Sequence, residues 1–258
     1  MQQATASSCN MGAQWRLWQL LDSSFPTGGF AHSAGVEASA RAGLFAGHSG
    51  EENGALEGHL LGAAASCASL SLPFLTVSHR ACSEHASADL GVVLQRNQAA
   101  LDTLMQGSPV ARRASLAAGA ALVRACGAAF HHGDAGQSLV MAALQALRGV
   151  VHQAVALGAV CASLGVPLPT AQRALLFTQL RDGCASACRL GVLGPMAAAH
   201  MQARVAARLE AVLEEWEADV QHAGTDDAAL LATAAGAHPL ADALQSGHDA
   251  LFSRLFQS

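Results

Sequence analysis

Wherever this chain stays apolar over a long stretch, the apolar residues return every three or four positions, and no run of alternating β-branched residues occurs. A period near 3.6 marks an amphipathic helix and a period of two marks a strand. The chain therefore reads as all-α, with no sheet. The clearest stripe is Met201, Val205, Leu209, Val212, Leu213, Trp216 and Val220, with Arg208, Glu210, Glu214, Glu215 and Glu217 on the opposite face. Breakers and caps divide the rest. Trp15 to Leu21 predicts a short helix that stops at Asp22-Ser23-Ser24-Phe25-Pro26-Thr27-Gly28-Gly29, and a second helix follows from about Phe30 to Ala42. Ser49 and Glu52 have capping-box spacing for a helix to about Ser71, and Pro73 starts another. Ser87 caps a helix to about Met105, and Ser108-Pro109 opens one to about Phe130. The pattern then predicts one long helix from Gln137 to Leu164, others from Thr170 to Leu190 and from Gly194-Pro195 onward, and a final pair at Asp227 to Ala235 and Pro239 to Leu251. About ten helices of unequal length, with no repeat of 20 to 50 residues, make a compact bundle rather than a solenoid. A single domain is expected over residues 14–258, after a disordered polar segment at 1–13.

Charge and missing residue types exclude several functions. Charged residues are 13% of the chain and the net charge is -5, which leaves no basic footprint for nucleic acid. All 14 basic residues are Arg, and Lys, Ile and Tyr are absent. Without Lys there is neither a P-loop nor a Schiff-base amine. Two explanations of the low charge stay open: a surface partly covered by partners, or the codon choice of a GC-rich genome. No stretch reaches 18 apolar residues free of polar breaks, and Met1 to Ala13 lacks the regions of a signal peptide, so a cytoplasmic protein away from membranes is expected. Seven scattered Cys without any C-x-x-C read as reduced, mostly buried thiols.

The candidate constellations each have a plainer reading. His131, His132 and Asp134 carry metal-ligand chemistry and define the alternative of a helical metal-dependent enzyme, but neighbouring loop side chains rarely converge on one ion. Cys184 and Cys188 share a helix face, as core thiols often do. His32, Ser33 and Glu37 are too close in sequence for a hydrolytic triad. Gly28-Gly29 reads as a tight turn rather than an anion site. No metal or cofactor is expected. The tail Leu251-Phe252-Ser253-Arg254-Leu255-Phe256-Gln257-Ser258 is costly to leave in water, so it docks on this chain or on a partner.

The run Leu20 to Glu37, containing Asp22-Ser23-Ser24-Phe25-Pro26-Thr27-Gly28-Gly29-Phe30-Ala31-His32-Ser33, closely resembles the N-terminal motif of the urease accessory protein UreF family. Leu180-Arg181-Asp182 through Arg189-Leu190-Gly191, Gly194-Pro195, and His248-Asp249 through Ser258 agree in order, with Arg112-Arg113-Ala114-Ser115 as a weaker fourth segment. The resemblance implies an all-helical, cytosolic, non-enzymatic protein that helps load nickel into apo-urease. Its implied partners are the accessory protein UreD, called UreH in some organisms, the GTPase UreG, and a second copy of itself in a homodimer.

Carried onto this chain, the resemblance implies a structured surface around the first turn at Pro26, Gly28, Gly29, Phe30, His32, Ser33 and Glu37, which either makes partner contacts or pins the bundle. It also implies partner contacts in the tail of about 249–258, at Asp249, Phe252, Ser253, Arg254, Leu255, Phe256 and Ser258 with His248 before them, the tail ordering on UreD. Arg181, Asp182 and Arg189 would form a structural ion-pair set. Phe252 stands where the family usually has Tyr, and Phe25 where Leu is commoner.

Overall fold

Gly, Pro and short polar residues set most of the helix ends. The computed structural model describes residues 2–46, 53–84, 89–130, 135–147, 149–224, 226–236 and 239–257, and among these there are eleven α-helices and no strand. They are α1 (Gln2–Leu21), α2 (Val36–Arg41), α3 (Gly54–Glu84), α4 (Leu90–Leu104), α5 (Pro109–Ala129), α6 (Ala135–Ala146), α7 (Gln153–Ser163), α8 (Leu168–Arg189), α9 (Pro195–Ala223), α10 (Asp227–Ala232) and α11 (Pro239–Ser246). The all-helical fold is as expected. The proposed caps at Ser49 to Glu52 and at Ser87, the His131 to Asp134 loop and Ser258 lie outside the described residues.

Four boundaries differ from the sequence reading, each for a physical reason. α1 begins at Gln2, in the stretch expected to be disordered; no Pro lies there, so the helix extends backward from Trp15 through Gly12. The segment at Phe30 is not the start of α2. A single 3-10 turn covers Gly29–Ala31, and two consecutive left-handed residues, Ala34 (φ 51°) and Gly35 (φ 83°), delay the helix to Val36.

Pro73 lies inside α3 rather than starting a new helix. Proline cannot donate to the carbonyl four residues earlier. That carbonyl, of Ser69, instead accepts the N–H of Ala235 at 3.4 Å, which keeps it satisfied. Finally, the long helix expected over 137–164 is two helices. Gly149 takes φ 75° and Val150-Val151 follow, so the chain turns before α7 opens at Gln153.

By its contacts the chain, read from sequence as one domain, forms two compact units, each drawn from three stretches. The first takes Met1–Gly28, Phe74–Thr103 and Ser115–Leu175; the second takes Gly29–Pro73, Leu104–Ala114 and Leu176–Ser258. In the first unit α7 is the core: Ala154 through Cys161 are all buried, on every side of the helix. Its small residues permit that, and Gly158 packs directly on the Leu75 backbone.

In the second unit α9 is amphipathic as the stripe requires, burying Ala198, Met201, Val205, Leu209, Leu213 and Trp216. Glu57 of α3 receives Arg204 and Arg208 of α9, each at 2.8 Å. Burial raises the Glu57 pKa, but the two guanidinium groups outweigh it and hold the carboxyl below its ordinary value. α3 is long and apolar enough to cross a membrane, with a mean hydropathy of 1.7 over its most apolar window. That window is 56% buried inside the protein, as in a core helix.

Candidate functional site

Three segments far apart in sequence meet within the second unit. The left-handed pair Ala34-Gly35 turns the chain so that Glu37 falls in the first turn of α2, where it is 0% exposed. A buried carboxylate must find donors. Glu37 finds three, all from the C-terminal segment. The backbone N–H of Leu255 donates to Oε1 at 2.7 Å, that of Phe256 donates to Oε2 at 3.0 Å, and His248 Nε2 donates to Oε2 at 3.1 Å. Burial raises the Glu37 pKa, yet the Leu255 and Phe256 N–H groups and His248 together overcome it, so the carboxyl is held below its ordinary value. One residue on, the Gln257 N–H donates to the Ala31 carbonyl at 2.8 Å, which lays the tail along the Gly29–Ala31 turn.

α8 supplies the third side. The Arg189 guanidinium lies 4.1 Å from the Phe256 ring centroid and 5.4 Å from that of Phe30, and it also donates to the Phe30 carbonyl. Arg189 therefore clamps tail and turn together by cation–π contact. Arg181 pairs with Asp182 at 2.8 Å. Asp182 in turn presses against Gly29: a Cβ there would fall 3.0 Å from Asp182 Cγ and closer still to its oxygen, so any larger residue would have to displace the Asp182 carboxylate. Burial raises the Asp182 pKa, and Arg181 and Arg189 offset only part of that. Ser186 donates to the His32 carbonyl at 3.4 Å, and burial first and His248 second lower the His32 pKa.

Outside this buried seam the same segments present an apolar and charged surface. Phe252 is fully exposed, Leu255 is 58% exposed and Phe30 is 52% exposed, while Phe256 turns inward. Asp249 takes both 2.7 Å bonds from Arg113 and one at 3.3 Å from Arg254, so the exposed polar groups are tied to one another. Ser253 is exposed, and Ser33 is buried with no hydrogen-bond partner for its hydroxyl among the described residues. Pro26 and Gly28 belong to the first unit and are exposed, so the N-terminal motif is divided between the two units just before Gly29. Arg113 is a site residue that the sequence reading passed over; its only signal was the short Arg112-Arg113-Ala114-Ser115 match.

His131, His132 and Asp134 lie outside the described residues. The carboxylate of Glu37, the acid of the His32-Ser33-Glu37 set considered for a triad, is occupied by the tail. Among the described residues no group of three or more His, Cys, Asp or Glu is placed to hold a metal ion. Burial, with a smaller contribution from Cys188, pushes the Cys184 thiol up to about 12; burial raises Cys188 as well. Both are thiols, not ready thiolate ligands.

The sequence reading also missed a polar cluster in the first unit. His152 is fully buried, with Nδ1 2.9 Å from Ser115 Oγ and Nε2 3.2 Å from Asp102 Oδ1, and its N–H donates to Gln98 Oε1 at 2.7 Å. Ser115 Oγ also accepts the Gln153 N–H at 3.3 Å, so this serine from α5 caps α7. One turn further along α5, Gly119 lies so close to the Val151–Gln153 backbone that no Cβ would fit. A serine engaged as a helix cap beside a fully buried imidazole is a packing device rather than a nucleophile.

Comparison with known proteins agrees with the residue-level resemblance. The UreF family model matches residues 51–206. The protein named urease accessory protein F of Arabidopsis thaliana is 38% identical over 253 residues, covering 98% of this chain and 95% of its own length. The protein of the same name from Oryza sativa subsp. indica is 34% identical over 251 residues, covering 97% of this chain and 87% of its own length.

Proposed function

The chain belongs to the UreF family of urease accessory proteins, and on that premise we propose that it is a non-enzymatic scaffold in the cytosol that joins UreD (UreH) to the GTPase UreG and so delivers nickel to apo-urease. The observation that carries this reading is the convergence of the N-terminal motif, α8 and the tail on one seam whose outer rim exposes Phe30, Phe252 and Leu255. Exposed aromatic and aliphatic groups beside arginines are the usual anchors of a protein interface. A scaffold of this kind needs no active site. It needs only different affinities for the nucleotide states of the GTPase to couple hydrolysis to metal release. The protein acts as a homodimer that offers two such rims.

Size-exclusion chromatography with light scattering on the chain alone, then with UreD, then with UreG added, tests this directly. The full-length chain assembles with both partners as a dimer-based complex, while a truncation after Ala250 stays folded and fails to hold UreD. Failure of the full-length chain to bind UreD would remove the scaffold reading, and unimpaired binding by the truncation would remove the tail from it.

A further inference from the structure

We propose that Glu37, a fully buried residue, is the positioning residue that holds the tail in its register and thereby keeps the same tail side chains offered for binding. The inference rests on the scaffold reading for its consequence, but on geometry alone for its cause. Glu37 is fully buried, and its two oxygens take consecutive backbone N–H groups, Leu255 on Oε1 and Phe256 on Oε2. Every residue of the segment offers an N–H, so the Phe256 ring under Arg189 distinguishes this register from its neighbours, and Glu37, by taking two adjacent donors on its two oxygens, holds the segment there. With this register Phe256 points in and Leu255 points out. His248, at the start of the same segment, donates to the same carboxylate, so one group gathers the segment at both ends. Recognition is through the main chain, which leaves the side chains of Phe252, Arg254 and Leu255 available outside.

The test is Glu37→Gln in the full-length chain. The amide keeps the shape but loses the charge and turns an NH2 donor toward the donors it must receive. Hydrogen exchange should speed up at the Leu255 and Phe256 amides by about tenfold or more, while the amides of α2 and α9 keep their protection. UreD affinity should weaken by a similar factor. Unchanged exchange in the tail would overturn the proposal. A loosened tail with UreD binding intact would leave Glu37 as the tail's anchor but overturn its consequence for binding, and with it the tail's place in the scaffold reading. If Glu37→Gln does not fold, Leu255→Pro removes one of the two donors from outside the core. Release of the Phe256 amide in that variant supports the proposal, and retained protection defeats it.

Discussion

Each unit of this protein is organised around a fully buried histidine paired with a carboxylate, His152 with Asp102 and His248 with Glu37. The two pairs differ in which partner is the buried one. Asp102 is 25% exposed, and His152 is the centre: both ring nitrogens and its backbone N–H are engaged, with Ser115, Asp102 and Gln98 around it. A ring with hydrogen on Nε2 pairs both of its nitrogens, since Gln153 N–H donates to Ser115 Oγ, Ser115 donates to Nδ1 and Nε2–H donates to Asp102, and of this cluster's buried side-chain atoms only Gln98 Nε2 has no partner among the described residues. At the other site Glu37 is the centre, and His248 is one of three donors; its Nδ1 has no partner among the described residues. The first arrangement locks helices whose ends are fixed by the chain on both sides. The second holds a segment that is non-helical over residues 251–257 and so is fixed mainly by its bonds to other segments. A ring bonded at both nitrogens suits packing between helices, and a single charged anchor suits a non-helical segment that presents a surface.

Substitutions at the two histidines should therefore separate the units. His152→Ala removes two side-chain hydrogen bonds and leaves Asp102 and Ser115 each short of a partner, so it should cost about 3–4 kcal/mol of global stability, read by urea denaturation, without loosening the tail. His248→Ala removes one bond from Glu37 and a side chain already incompletely paired. It should cost roughly 2 kcal/mol and speed amide exchange from Leu251 to Gln257 ahead of the rest. If the two variants showed the same cost and the same exchange pattern, the distinction between lock and anchor would fail.

Acid gives the smallest and most graded contrast. Glu37 has a depressed pKa in the folded chain, so the unfolded state binds the proton more readily; its contribution is complete above the ordinary glutamate pKa and is lost as pH falls through the depressed value. His32 and His79 are also depressed, mainly by burial, and their contributions are lost earlier, as pH falls through and below the ordinary histidine range. Stability should thus decline gently in both units below neutrality, while the tail amides stay protected until more acid pH. Release of the tail in the histidine range, followed by hydrogen exchange, would show that Glu37 does not control it.

Helix existence and composition of the faces were legible in the sequence because they depend on spacing alone. The α9 stripe is the plainest case, and Pro195 marks its start. Where a breaker had two possible readings, spacing was not enough. Pro73 looks like a start in sequence, but a remote N–H from Ala235 makes it tolerable mid-helix. Gly149 looked like one more small residue in a long helix, although Arg148 before it and two valines after it carried the signal of an end. At the site, Glu37, His248 and Phe256 were each marked by resemblance, but nothing in their spacing says that the first binds the main chain of the last. Arg189 was grouped with Asp182 as a charge; it does lower the Asp182 pKa, and it also covers two aromatic rings.

By itself the sequence determined that this chain is helical, that it lacks the lysine chemistry of nucleotide-binding loops and Schiff bases, and that it carries the motifs of an accessory family. Those follow from period, residue type and local order, which survive without coordinates. Only the tertiary structure decided that Glu37 and Leu255, more than two hundred positions apart, share a hydrogen bond, and that the N-terminal motif is divided between two units before Gly29. The reason is physical: a buried charge is stable only beside donors brought by the fold, and which donors arrive depends on how helices pack, not on how residues are spaced.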